Sequence, residues 1–186
     1  KHNLSNDNLV KPDIFGDAYE YLLAEFASET KKKGGQFYTP HEVVRLLVEL
    51  TKPKEGMRIC DPTCGSGGML VQSWSFVKEK KGNPDNITLH GQESNYSTVG
   101  MSKMNLVLHG VSDFRIEHGD TLDNPLLQED GKLLSYDRVL ANFPFSENWK
   151  AQGKENDPYD RFRLGIPPAK DKADFAFIQH MYSTLN

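Results

Sequence analysis

Apolar positions near the start of the chain recur at helical spacing. Phe15, Tyr19, Leu22, Leu23 and Phe26 predict a helix from about Pro12 to Ser28. The run Lys31-Lys32-Lys33-Gly34-Gly35 then reads as a solvated linker, with a phosphate contact as the second reading. A second helix is expected from Pro40 to about Thr51. Thr39 can cap it, Pro40 suits the first helical position, and Glu42 completes a capping box. Val43, Val44, Leu47, Val48 and Leu50 would form its buried face.

From Met57 the pattern becomes an alternation of strands and helices. Strands are expected over Met57–Asp61, Ile87–Glu93, Phe114–His118 and Tyr136–Asn142. In the third, Arg115 and Glu117 alternate with Phe114, Ile116 and His118, which suits a sheet edge. In the fourth, Val139, Leu140 and Ala141 are the expected core. Helices fall between them, one through Leu70, Trp74 and Val77, and one from about Tyr96 to Leu108 ended by Gly110. Asn83-Pro84-Asp85 is a turn. Residues 146–171 are polar and long for a plain connection. A last helix begins near Asp174, with Phe175, Ile178, Met181, Tyr182 and Leu185 on one face.

This order predicts an α/β fold with a doubly wound, mostly parallel, Rossmann-like sheet. The expected division is an N-terminal helical segment and linker over 1–34, and a sheet domain over 35–186. A parallel sheet whose last element is a helix expects another strand, and the chain opens on Lys1 without a Met. The domain is therefore expected to be C-terminally incomplete and cut from something longer.

Composition narrows the classes. With 186 residues and 37% hydrophobic, the chain suits one domain with a real core. No apolar run approaches the ~20 residues of a membrane span, and no signal-peptide pattern opens the chain. The net charge of −4 argues against a chain that grips a polyanion unaided. Cys60 and Cys64 have no second pair, so they read as reduced thiols of a cytoplasmic protein rather than zinc ligands. None of the six histidines clusters with carboxylates at metal spacing, so no metal is expected; only His41 adjoins a candidate site.

The candidate chemistry sits at the ends of the expected strands. Asp61-Pro62-Thr63-Cys64-Gly65-Ser66-Gly67-Gly68 is a glycine loop between a strand and a helix. Its backbone can approach a ligand, and the helix points free N–H groups at it. Taken alone, this loop would also fit NAD or a phosphate. Glu93 ends the second strand, where an acid can accept from two ribose hydroxyls; a capping or surface Glu is the plain alternative. Asp120 ends the third and could accept from an adenine amino group or cap a turn. Asn142-Phe143-Pro144-Phe145 ends the fourth. The Asn142 Oδ1 and the Phe143 carbonyl could both accept from an exocyclic NH2 and help free its lone pair. Pro144 would stiffen the turn, and Phe145 offers a face for a flipped base. The alternative is an ordinary Asn turn beside a core Phe. Ahead of the sheet, Gln36-Phe37-Tyr38-Thr39-Pro40-His41 brings a capped helix start and two aromatics near where a methionine carboxylate could lie; the alternative is a capped helix with its aromatics in the core.

In this order the pieces resemble the gamma class of amino-methyltransferases. Residues 35–41 match its motif X, 61–68 motif I, Glu93 motif II, Asp120 motif III and 142–145 motif IV. Asp17-Ala18-Tyr19-Glu20-Tyr21-Leu22, Gly35–Pro40 and Ala173-Asp174-Phe175-Ala176-Phe177 are similar to the modification (M) subunit of type I restriction-modification systems. The resemblance runs from about residue 12 to 186. It implies S-adenosyl-L-methionine as methyl donor, with Gln36, Phe37, Tyr38, Thr39, Pro40, His41, Asp61, Thr63, Cys64, Gly65, Gly67, Glu93 and Asp120 around it. It implies adenine N6 in double-stranded DNA as acceptor, with Asn142, Phe143, Pro144 and Phe145 at the reacting base. It also implies a specificity (S) subunit and a restriction (R) subunit as partners, with DNA gripped largely by another chain or segment. The family's motif IV is Asn-Pro-Pro-aromatic; Phe143 keeps the carbonyl but alters the stiffness of the loop, or reshapes the base pocket.

Transfer is expected to be direct and in line, so Cys64 is not a nucleophile and serves to pack and to lend its backbone N–H. Trp149, Tyr159, Arg161, Phe162 and Arg163 either touch a flipped base or DNA, or anchor a mobile lid. Three rival readings stand beside this one: a protein-glutamine methyltransferase, a stand-alone adenine methyltransferase, and an S-adenosylmethionine-binding scaffold without turnover.

Overall fold

A computed structural model describes residues 14–29, 38–145, 147–149, 154–165 and 172–186. The expected lysine–glycine break, Gln36 and Phe37 lie outside these residues. In chain order the elements are α1 (Ile14–Glu29), α2 (His41–Thr51), β1 (Arg58–Asp61), α3 (Gly68–Glu79), β2 (Thr88–Glu93), α4 (Tyr96–Leu108), β3 (Arg115–His118), β4 (Gln128–Glu129), β5 (Lys132–Leu133), β6 (Arg138–Val139) and α5 (Asp174–Ser183).

The main sheet has the order β3-β2-β1-β6, and every pairing is parallel. β3 is the edge that its alternating pattern predicted. Successive strands step outward from β1 to β3, and then the chain returns to β1's other side as β6. The reversal creates a crevice at the carboxyl ends of β1 and β6, where ligands of such sheets bind. β4 and β5 form a separate antiparallel ribbon. The ladder of β6 is shorter than the expected Tyr136–Asn142, although Leu140 N–H still donates to Cys60 O. Beside it, Tyr136 bridges Leu185 in parallel, so the chain rejoins the sheet after α5.

Val44 and Val48 of α2, Leu70, Trp74 and Val77 of α3, and Leu106 of α4 close on Ile59, Leu89 and Ile116 of the strands. α1 lies against α4, and its Tyr19 hydroxyl donates to Met101 O. No helix among the described residues is long and apolar enough to cross a membrane.

The helix faces differ from expectation. On α1, Leu23 is buried while Phe15, Leu22 and Phe26 are exposed. On α2, Val43 and Leu50 are exposed, while Val44 and Val48 are buried and Leu47 packs partly buried against the same core. On α5, Phe175, Ile178 and Tyr182 are exposed, as is Leu185 beyond its end, and the buried side is Ala176, Phe177 and His180. Periodicity finds a stripe; packing decides which part of it is covered. The capping box at α2 does not form. Pro40 occupies the cap position without a side-chain bond, and the Thr39 hydroxyl is engaged elsewhere.

Candidate active site

Asp61 at the end of β1 is buried, and its Oδ1 accepts from Thr63 N–H at 3.0 Å, which turns the chain out of the strand. Gly67 then takes φ +80°, and a Cβ there would lie 2.7 Å from Ser102 Oγ. The same tightness holds one strand over. A Cβ on Gly91 would meet Ile116 Cδ1 at 2.8 Å and Cys64 Sγ at 2.9 Å, so only glycine lets the loop seat on β2. Cys64 packs as expected, but its N–H donates to Gln92 O at 2.9 Å and is not offered to a ligand. Burial pushes its thiol well up, which suits an inert packing residue. Gly65 N–H donates to Glu93 Oε2 at 3.1 Å, and Glu93 Oε1 accepts from Asn95 N–H at 2.7 Å. Glu93 therefore ties the loop to β2. Burial raises the Asp61 carboxyl to about 7; the Thr63 N–H opposes the rise and the nearby Glu93 charge adds to it. A cation is what this carboxyl would favour.

Two cavities meet here and share Leu23 and Thr63 as walls. The smaller, about 30 Å3, gathers Tyr38, Thr39, His41, Asp61, Cys64, Gly65 and Asn142 among its walls. The larger, about 570 Å3, is walled in part by Thr63, Glu93, Asp120, Thr121, Pro144 and Phe177. Most of the expected site residues thus line these two adjacent cavities at the sheet's carboxyl edge. Pro40 and Gly67 are not among the walls; they precede α2 and α3 as the cap residues. Phe143 and Phe145 are not among the walls. Asp120 makes the turn its alternative reading predicted, with Oδ1 accepting from Leu122 and Asp123 N–H, and it also stands on the cavity wall.

The apolar spacing predicted helix α1 but not its place in the site. Glu20 and Leu23 wall the small cavity, and Leu23 and Phe26 the large one. Glu20 lies 3.8 Å from His41 Nδ1 and 3.9 Å from His109 Nε2. The available signal was an acid set within an apolar helical stripe. Asn105 of α4 was also missed; its amide donates to Ser66 O at 3.0 Å. Its Oδ1, like Thr63 Oγ1, is buried without a hydrogen-bond partner among the described residues. Both residues wall the small cavity, and such atoms are costly unless a ligand or water meets them.

Beyond β6, Asn142 Nδ2 donates to Thr39 Oγ1 at 3.1 Å. Phe143 packs against α5. Its ring stacks on Phe177, 5.2 Å between centroids and 17° between planes, while Phe145 meets Phe143 edge-on and is 74% exposed. The described part of the polar loop, 147–149 and 154–165, is anchored to the rest of the fold. Arg161 is buried, pairs with Asp157 at 2.6 Å, and donates to the carbonyls of Thr121 and Leu122 at 2.9 Å each. Trp149 and Phe162 are buried with Leu122 and Phe177, and Tyr159 donates to Gln128 Oε1. Arg161, Trp149 and Phe162 are buried, which fits the anchoring alternative, and Tyr159 is half-buried. Arg163 is exposed.

A family model described as N-6 DNA Methylase matches residues 10–186. The chain is 37% identical over 181 residues to the type I restriction enzyme HindI methylase subunit of Haemophilus influenzae, covering 96% of this chain and 39% of that one. It is 40% identical over 181 residues to the MjaVII methylase subunit of Methanocaldococcus jannaschii, covering 91% and 30% respectively. The chain thus spans well under half the length of these relatives. Among solved structures, the type I restriction-modification methyltransferase subunit of Streptococcus thermophilus superposes with a TM-score of 0.80 at 38% identity, over 94% of this chain and 36% of that one. A Listeria monocytogenes chain described as a class I S-adenosylmethionine-dependent methyltransferase shares the fold at TM-score 0.69 and 17% identity, over 97% and 54%. A match over nearly the whole length, on a doubly wound sheet with its cleft at the strand ends, places the chain in the N-6 DNA methylase family.

Proposed function

We propose that the chain carries the cofactor-binding and catalytic part of an adenine-N6 DNA methyltransferase that acts as the modification subunit of a type I restriction-modification system. The observation that carries this reading is the convergence of Asp61, Glu93, Asp120 and Asn142. They sit at or just beyond the carboxyl ends of four adjacent parallel strands, around one cleft.

The cleft fits S-adenosylmethionine. Its large chamber falls in the range of small-molecule sites. Glu93 and Asp120 would take the ribose and adenine end. Asp61 and Glu20, with the unpartnered Thr63 and Asn105 oxygens, suit the cationic aminoacyl end. Bound there, the cofactor supplies a methyl group already activated on a sulfonium. The protein's work is to hold, orient and exclude water. Asn142 Oδ1 and the Phe143 carbonyl would accept from the adenine amino group and aim its nitrogen at that methyl. The exposed Phe145 would stack on the flipped base.

The relatives are named as methylase subunits of type I enzymes, which supports assembly with specificity and restriction subunits on double-stranded DNA in the cytoplasm. The acidic balance of the chain agrees with DNA being held largely by a partner or by other segments. The test uses the full-length protein with its specificity partner, labelled S-adenosylmethionine, duplex DNA and a glutamine-bearing protein substrate. Label is expected on adenine N6 in DNA. Label on protein, or none anywhere, would overturn the reading.

A further inference from the structure

We infer that Thr39 is a positioning residue for transfer: its hydroxyl holds the Asn142 carboxamide with the oxygen turned toward the acceptor base. This rests on the proposed role of Asn142.

A terminal amide can turn its oxygen or its nitrogen into a site, and only the oxygen can accept from an amino group. In the bond from Asn142 Nδ2 to Thr39 Oγ1 at 3.1 Å the hydroxyl accepts, so the nitrogen is occupied and the oxygen is left for the base; because a hydroxyl can also donate, Thr39 fixes the place of the carboxamide, and the N–H of the base favours this orientation over the flipped one. The two residues are 103 positions apart, so the bond is made by the fold and not by local sequence. The Thr39 hydroxyl is not used as a cap of α2, which begins without a side-chain cap. Pro40 is the cap residue, and its carbonyl accepts from Val43 and Val44 N–H. Thr39 and Asn142 are both walls of the small cavity, beside Asp61 and Gly65. The segment that closes the cofactor end of the cleft therefore also sets the group that receives the base. Loss of the hydroxyl would leave the amide free to present its NH2, which repels the acceptor's own N–H.

The test is a comparison of Thr39→Val, which keeps the shape, with Thr39→Ser, which keeps the hydroxyl. It is made in the full-length protein with its specificity partner and duplex DNA. Thr39→Val is expected to slow single-turnover transfer by about tenfold to a hundredfold at saturating cofactor. Any weakening of cofactor binding, read by calorimetry, should be smaller than the loss of rate at saturating cofactor, and Thr39→Ser should restore most of the rate. In an Asn142→Ser background, Thr39→Val should have no further effect, since the amide it positions is gone. Unchanged transfer in Thr39→Val, or a loss confined to cofactor affinity, would overturn the inference. So would an undiminished effect in the Asn142→Ser background. Asn142→Ala, run alongside, separates the two claims: full transfer there sinks the role of Asn142 itself.

Discussion

Phe143 lies flat against Phe177, ring on ring at 5.2 Å, and so fastens the turn after β6 to helix α5. Phe177 also walls the larger cavity. One aromatic pair thus joins the turn that would receive the base to the chamber that would hold the cofactor. Where the family pattern uses a proline to stiffen this position, packing supplies the stiffness here. Phe143→Ala should destabilise the protein by roughly 2 kcal/mol and slow transfer. Phe143→Pro should lose similar stability but keep more of the transfer rate, because the acceptor is the backbone carbonyl. Thermal melts and single-turnover rates decide this; equal rates for the two variants would count against it.

Arg161 and Asp157 form a buried pair whose arginine also holds the carbonyls of Thr121 and Leu122, next to Asp120. Removing one partner strands a buried charge. Arg161→Ala should cost about 3–5 kcal/mol of stability and weaken cofactor binding through the Asp120 turn. A denaturation midpoint within error of wild type would refute this account of the loop.

The carboxyl of Asp61 sits near pKa 7 in the folded protein because it is buried. The folded state therefore binds this proton more tightly than the unfolded chain does. The resulting stabilisation is full below about pH 4 and is lost as the pH rises through 7. A cationic ligand prefers the ionised form, so cofactor affinity should weaken below pH 7, approaching about tenfold per pH unit. Asp61→Asn should abolish that pH dependence, weaken binding at pH 8, and raise the melting temperature of the ligand-free protein at pH 8. Calorimetry from pH 5.5 to 8.5 reads the first two effects, and a persistent slope in the variant would contradict the assignment.

Phe26 is 56% exposed yet walls the large cavity from α1. Phe26→Ala should leave the melting temperature nearly unchanged and raise the cofactor dissociation constant several-fold. If binding is unaffected, α1 is not part of the cofactor site.

The strands and their order of use were legible because Ile59, Leu89 and Ile116 obey simple patterns, and because glycines and acids mark the strand ends. The edge position of β3 followed from Arg115 and Glu117 alone. What was not legible depends on contacts distant in sequence. Thr39 has every local credential of a helix cap, yet its hydroxyl bonds to a residue 103 positions away. Arg161 and Phe162 look like a nucleic-acid surface by composition, and only packing against Thr121 and Phe177 reveals their use. Glu20 belongs to the cleft because α1 folds over α4, which no local pattern encodes.

The most direct test is Asn142→Ala in the full-length protein with its specificity partner, following labelled methyl into duplex DNA alongside equilibrium cofactor binding. The account predicts cofactor affinity close to wild type and transfer reduced by about a thousandfold or more. Wild-type transfer by that variant would contradict it.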